Sequence, residues 1–237
     1  MIETSHFIVH PFVIYGTGRA GSLLWELASE KVGLTPVVGF VADEQYMKGD
    51  RTFCGLPAVP FGEATTIFPP HDFSMMTAIS FRNMRYRRDV FGRATAAGYN
   101  MMNLIMPTAK ISGSATIGRN VLVCDFAYVG SGAVIGDDVV VREHSYVGHD
   151  VQIRDHVVVS PGCRIAGRCV VGEASYLGIG STVLDDVTLG AETLVGAGSV
   201  VTKDTPSWTK WIGVPARQQD CDHRSEGIVI RSRRERK

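Results

Sequence analysis

The sequence predicts two structural classes in one chain: an α/β unit over residues 1–106 and an all-β parallel helix of six-residue repeats over residues 107–217, with a charged, disordered tail over 218–237. Three observations carry this. Short apolar runs alternate with helix-patterned segments over the first hundred residues. From Ile111 onward an aliphatic residue returns at every sixth position. Glycine is abundant, at 26 residues, which favours many tight turns over many helices.

The first unit reads in order. FVIY (12–15) has the length and apolarity of a buried strand. GTGRAG (16–21) follows, and then a helix with Leu23, Leu24, Leu27 and Ala28 on one side. PVVGFVA (36–42) is a second strand, ended by Asp43 and Glu44, and CGLPAVPF (54–61) is a short extended piece. SMMTAIS (74–80) is a third strand, and 84–97 is helical with Tyr86, Val90, Phe91 and Ala94 inward. This β-α-β order is an abbreviated Rossmann-like unit. Gly16, Gly18 and Gly21 match GxGxxG between a strand and a helix, and Asp43 lies where such folds place a carboxylate near a ribose. The unit is too short for two mononucleotide halves. Gly16, Gly18, Arg19 and Asp43 are therefore candidates for holding one nucleotide diphosphate at the helix N-terminus, against the alternative that the glycines serve strand–helix packing alone. The basic stretch FRNMRYRR (81–88) reads as a solvated helix face.

The second unit is a repeat. Ile111, Ile117, Val123, Val129, Ile135, Val141, Val147, Ile153, Val159, Ile165, Val171, Leu177, Val183, Leu189, Val195 and Val201 follow one another at steps of six without a miss. The residue after the aliphatic is often Gly, as at 118, 130, 136, 148, 172, 178, 190 and 196, and reads as turn-favouring. The residue four after it is small or β-branched, as in Ala127, Ser145, Cys163 and Ser181. One inward aliphatic, one turn glycine and one small inward residue describe a flat face of a β-helix; three faces close a coil of 18 residues.

Bulk properties exclude other classes. Lys plus Arg is 24 and Asp plus Glu is 24, which gives no overall electrostatic case for nucleic acid or a membrane surface. No apolar run approaches the length of a membrane span, and MIETSHFIVHPF lacks the features of a signal peptide. Five cysteines with no CxxC pair read as reduced thiols of a cytoplasmic protein.

The order of a short Rossmann-like unit, a hexapeptide β-helix and the ending GVPAR (213–217) resembles the bacterial sugar acyltransferases of the NeuD and PglD type. VVGFVADEQY, GLPAVPF and VGHDVQIRDHVVVSPGCRIAG carry most of the likeness, which covers nearly all of residues 12–217. The resemblance implies a left-handed coil, a homotrimer, and transfer of an acetyl group from acetyl-CoA to a nucleotide-linked sugar. An amino acceptor is the first expectation and a hydroxyl acceptor the alternative. In that family a histidine followed by an acidic residue is the proposed general base; the matching pair here is His149 and Asp150, where the family more often has Glu. His144 falls where relatives often carry Asn, and Met106 where many have His. By the same resemblance Gly178, Ile179 and Ala197 line the pantetheine groove together with Gly167.

The repeat itself adds to this. His149 follows Gly148 at a turn, so its ring should project outward, and Gly167 lies one coil of 18 residues further on. Its N–H is then a candidate oxyanion donor with no Cβ to block a thioester. His144 and His156 are candidates for acceptor contact, with His156 read mainly as a surface or interface residue.

Two other classes compete. Carbonic anhydrases of left-handed β-helix type use two histidines spaced like His144 and His149, with a third 36 residues before; here those positions hold Thr108 and Gly113, so no metal is expected. A non-enzymatic nucleotide-binding scaffold predicts no turnover with any acceptor.

Overall fold

The computed structural model describes residues 11–29, 36–47, 49, 51–221 and 223–230. The first ten residues, read above as lacking a leader, and the last seven of the tail lie outside these. The chain divides into two compact units, Met1–Ile79 with Gly92–Met102, and Ser80–Phe91 with Asn103–Lys237.

In the first unit, β1 (Phe12–Tyr15) is fully buried because all four residues are large and apolar or aromatic. α1 (Arg19–Leu27) follows and buries Gly21 and Leu24. Next come β2 (Val37–Ala42), the pair β3 (Thr52–Phe53) and β4 (Leu56–Pro60), α2 (Phe61–Ile67), β5 (Ser74–Thr77), α3 (Met84–Ala96) and β6 (Asn100–Met101). The sheet order is β3-β4-β2-β1-β5-β6, parallel except for β3 against β4. The chain therefore reverses its winding at β1, and the loops after β1 and β5 meet there: the Ala78 N–H donates to the Tyr15 carbonyl over 2.9 Å. The extended piece expected at 54–61 is β4, the second half of a hairpin. Cys54 and Gly55 both have positive φ, 50° and 77°, as a two-residue hairpin turn of this hand requires.

The second unit is a left-handed parallel β-helix of hexapeptide repeats. Its coils have three faces. Face A stacks Leu104–Ile105, Leu122–Val123, Val140–Val141, Val158–Val159, Tyr176–Leu177, Leu194–Val195 and Lys210–Gly213, with Ala216–Gln219 antiparallel at the end. Face B runs from Lys110–Ile111 through Tyr146–Val147 to Val200–Val201, and face C from Thr116–Ile117 through Gln152–Ile153 to Thr188–Leu189. Partners are always 18 residues apart within the repeat, as Tyr146 is from Arg164. The aliphatic series is the core: every member from Val123 to Val201 is buried, with Ile111 and Ile117 packed against it at the open end. The small inward hydroxyls are satisfied locally, as where Ser145 donates to the Ser160 carbonyl over 2.9 Å.

The turn glycines have a different reason from the one expected. Residues 118, 130, 136, 148, 172, 178, 190 and 196 do not take positive φ. Except at Gly196, where the Ile212 side chain is met first, a Cβ there would strike the next coil's backbone, at 2.8 Å from the Gly148 carbonyl carbon for Gly130 and 2.6 Å from the Ala197 nitrogen for Gly178. They are needed for coil stacking at strand spacing. Positive φ falls two residues later, at every sixth residue from Asn120 to Gly198, ten of which are not glycine.

Two further expectations are corrected within this unit. The basic stretch at 81–88 is a solvated face only in part, with Phe81, Arg82, Asn83 and Arg88 exposed. Arg87 is buried and bonds the Asp138 carboxylate over 2.6 Å, Arg85 pairs with Glu192 over 3.0 Å, and Arg88 with Glu173 over 3.1 Å. Nor is the tail wholly disordered. His223–Glu226 is a helical turn, Ile228 is fully buried with Met84, and Val229 bridges to Asn83. The apolar residues in GIVI supply the burial that a purely charged tail lacks. No helix among the described residues is long and apolar enough to cross a membrane.

Candidate active site

The three histidines of one coil stand at its three different turns. His144 is in the turn from face A to face B, His149 in the turn from B to C, and His156 in the turn from C to A. Within one chain they do not come together, and no group of three or more metal-ligand side chains occurs among the described residues.

His149 forms a dyad with its neighbour. Its Nδ1 stands 2.9 Å from Asp150 Oδ2. A carboxylate only accepts, so this bond places the imidazole proton on Nδ1 and leaves the Nε2 lone pair exposed. Asp is long enough for this because Asp150 has φ 56°, which turns its side chain back beside the ring. Both members have been given room by glycine. At Gly132, one coil before, a Cβ would collide with Asp150 Oδ1. At Gly167, one coil on, a Cβ would collide with His149 Nε2 and stand 2.7 Å from Cε1. The ring thus lies across the bare Cα of Gly167, with the ring half exposed, at 51%, and open to a reactant.

The Gly167 N–H does not point into open space. It donates to Asp185 Oδ1 over 3.0 Å. Beside it Arg168 clamps Asp186 through two bonds of 2.6 and 2.7 Å, and that guanidinium, with a smaller contribution from His149, holds the Asp186 carboxyl below its ordinary range. The turn from face B to face C therefore carries His149, Asp150, Gly167, Arg168, Asp185 and Asp186 in three successive coils.

Gly178, Ile179 and Ala197 are not there. They belong to the turn from A to B, on the row that includes His144. That row changes character along the helix axis. Phe126 and His144 are stacked at 5.1 Å between centroids, and then Gly162, Gly180 and Gly198 follow, with φ 69°, 67° and 65°. A Cβ at Gly180 or Gly198 would meet nothing within 4 Å, and Ile179 is 57% exposed beside them. An open apolar strip results. One chain thus presents the dyad on one edge and the strip on another.

His156 is not a surface residue. It is buried, and its Nδ1 stands 3.0 Å from Asp138 Oδ2. Asp138 is wholly buried and also accepts from Arg87 and Asn120. This network belongs to the packing of the turn from C to A. It offers an acceptor no access through His156.

In the first unit the GxGxxG glycines separate by role. A Cβ at Gly16 would lie 2.6 Å from the Ala78 carbonyl oxygen, and one at Gly21 would collide with the Gly16 carbonyl. These two serve close packing. At Gly18 a Cβ would meet nothing within 4 Å, so packing does not demand glycine there; it is the N-cap of α1 and leaves the helix N-terminus bare. Arg19 is exposed at the first helical position, its guanidinium 3.4 Å from Ser22 Oγ. Asp43 is engaged from within the unit. Arg93 binds it through both oxygens at 2.7 and 3.0 Å, and the Tyr15 hydroxyl donates to it over 2.5 Å.

Sequence reasoning missed Gly132, Asp185, Arg87 and Asp138. The spacing of 18 could have found the first two, since Gly132 is Asp150 minus one coil and Asp185 is Gly167 plus one.

The comparisons agree with this architecture. The bacterial transferase hexapeptide family (six repeats) matches residues 132–167 and 168–203. A perosamine N-acetyltransferase from Caulobacter crescentus, solved as a variant with CoA and GDP-perosamine, is 28% identical with a TM-score of 0.80, over 92% of this chain and 100% of that one. The acetyltransferase domain of PglB from Neisseria gonorrhoeae, in complex with acetyl coenzyme A, is 30% identical with a TM-score of 0.79, over 89% and 99%. WeeI from Acinetobacter baumannii is 25% identical with a TM-score of 0.77, over 88% and 99%. No curated protein matches the chain. Matched in its repeats, and 30% identical to a relative over nearly the full length of both, the chain belongs to the sugar acyltransferases of the hexapeptide-repeat superfamily.

Proposed function

We propose that the protein transfers the acetyl group of acetyl-CoA to an amino group of a nucleotide-linked sugar, with His149 as general base. The observation that carries this is the dyad: His149 Nδ1 bonded to Asp150 at 2.9 Å, with Nε2 turned to a position that Gly167 keeps clear. The relatives whose structures hold CoA with GDP-perosamine, or acetyl-CoA, supply the substrate classes.

The chemistry follows from those groups. The acceptor amine attacks the thioester carbonyl carbon while His149 Nε2 takes its proton. The carbonyl oxygen becomes an oxyanion, for which the Gly167 N–H is the donor. The tetrahedral intermediate collapses, the C–S bond breaks, and the imidazolium returns its proton to the CoA thiolate. Asp150 stays ionised throughout, fixing the tautomer and stabilising the imidazolium. A positioned base contributes about 10²–10⁴ in rate and an oxyanion donor about 10²–10³.

The open strip at Gly178, Ile179, Gly180, Ala197 and Gly198 suits the slender pantetheine arm. Within one chain it lies on a different turn from His149. Strip and dyad can line one groove only if they come from different copies, which supports a homotrimer near three times 25.7 kDa; a monomer by light scattering at micromolar concentration would refute the shared groove. Gly18 and Arg19 at the bare N-terminus of α1 are the seat for the nucleotide's phosphates. Asp43, the carboxylate expected near a ribose, is bound by Arg93 and the Tyr15 hydroxyl.

CoA release measured with acetyl-CoA against a panel of nucleotide-linked aminosugars, with the matching hydroxy-sugars alongside, tests the reading. Turnover with an aminosugar is expected. Turnover with the hydroxy-sugars alone would establish O-acylation, and release with neither would refute acyl transfer.

A further inference from the structure

The Gly167 N–H, the donor that an acyl oxyanion needs, is occupied by a carboxylate of the chain itself. Asp185 Oδ1 accepts from it over 3.0 Å, one coil on. Caps of this form occur elsewhere in the β-helix. The Arg119 N–H donates to Asp137 Oδ1 over 2.7 Å, and the Asp137 N–H to Asp155 Oδ1 over 2.8 Å, each across 18 residues. Asp137 is additionally clamped by the Arg119 guanidinium at 2.6 and 3.1 Å and is only partly exposed. Asp155 and Asp185 are exposed, and Arg168, beside the Asp185 cap, directs two bonds to Asp186. What sets the Asp185 cap apart is its place: of these three it is the one that closes the N–H beside the reactive nitrogen of His149.

A carboxylate oxygen on that N–H is a chemical stand-in for a carbonyl oxygen that carries negative charge. We propose that Asp185 is a positioning residue for the acetyl donor: it holds the oxyanion donor in the free protein and is displaced from it by the thioester carbonyl. This deepens the reading of the site as an acyltransferase and rests on it. Displacement sends the Asp185 carboxylate to solvent, where hydration compensates it, and exchanges its hydrogen bond for one to the acyl oxygen. The acyl group, and not the remainder of CoA, is the part of the donor that competes.

That distinction gives the test. Calorimetric titrations of the full-length protein, its Asp185→Ala variant and its Asp185→Asn variant are run with acetyl-CoA and with CoA, which lacks the carbonyl. Removing the competitor should tighten acetyl-CoA binding by about three- to tenfold, the net scale of one hydrogen bond at a solvated site. CoA binding should not change. Asp185→Asn keeps a neutral acceptor and should fall between. The KM for acetyl-CoA should drop in parallel while the acceptor KM stays fixed. Unchanged acetyl-CoA affinity in Asp185→Ala, weaker affinity, or an equal change for CoA would overturn the proposal and leave Asp185 a structural cap. A wild-type protein that binds neither compound would instead overturn acyl transfer, and this proposal with it.

Discussion

Gly167→Ala places one methyl group against the His149 ring. Its Cβ would stand 2.7 Å from Cε1 and nearer still to Nε2, where ordinary contact begins at 3.4 Å. The ring must retreat by at least 0.7 Å, and by more at the nitrogen that takes the proton. A misplacement of about 1 Å at a reacting group costs about 10²-fold, so kcat should fall by about two orders of magnitude. The fold should not suffer: Gly167 has no positive φ, and the ring it displaces is half exposed and free to swing outward. Unfolding free energy should change by about 1 kcal/mol or less. Because the methyl acts through the ring, a double-mutant cycle is diagnostic. Gly167→Ala with His149→Ala together should be no slower than His149→Ala alone. Steady-state kinetics with a saturating acceptor reads both. A folded Gly167→Ala protein with kcat within threefold of wild type would refute the geometry, and a fully additive double mutant would refute action through His149.

Two other substitutions probe the remaining assignments. Gly18→Val enters open space, so it should leave acetyl-CoA affinity unchanged while weakening the sugar nucleotide tenfold or more by blocking its phosphates; calorimetry showing equal losses for both would place the nucleotide elsewhere. Arg87→Ala strips the cation from a wholly buried Asp138 that keeps only Asn120 and His156 of these partners, and should destabilise by about 3 kcal/mol in denaturant unfolding; a loss below about 1 kcal/mol would mean the network is not stabilising.

Much of this molecule was legible because a β-helix writes its core at one fixed period. The aliphatics from Val123 to Val201 announce themselves at steps of six, and the same period places Gly167 against His149 with no structure in hand. The first coil was harder to read: Ile105 keeps the step of six but is 40% exposed, and the strand Leu104–Ile105 closes the open end. α2 went unread because FGEATTI is short and carries two β-branched threonines. The reading of His156 as surface failed for a different reason. Its partner Asp138 is one coil away, but the cation that makes burial tolerable, Arg87, comes from 51 residues upstream, and no local pattern connects them. The glycines after the aliphatics stand out by position, but turn preference is the wrong cause for them. Sequence shows where glycine recurs, and only the coil above each one shows that a Cβ would strike its backbone.

The central claim is that His149 takes the acceptor's proton, and the kinetics of His149→Ala test it most directly. The buried aliphatics hold the coil without this exposed ring, so the variant should fold, assemble and bind acetyl-CoA as the wild type does. Its kcat should fall by about 10²-fold or more. A folded His149→Ala protein with near-normal kcat would contradict the account.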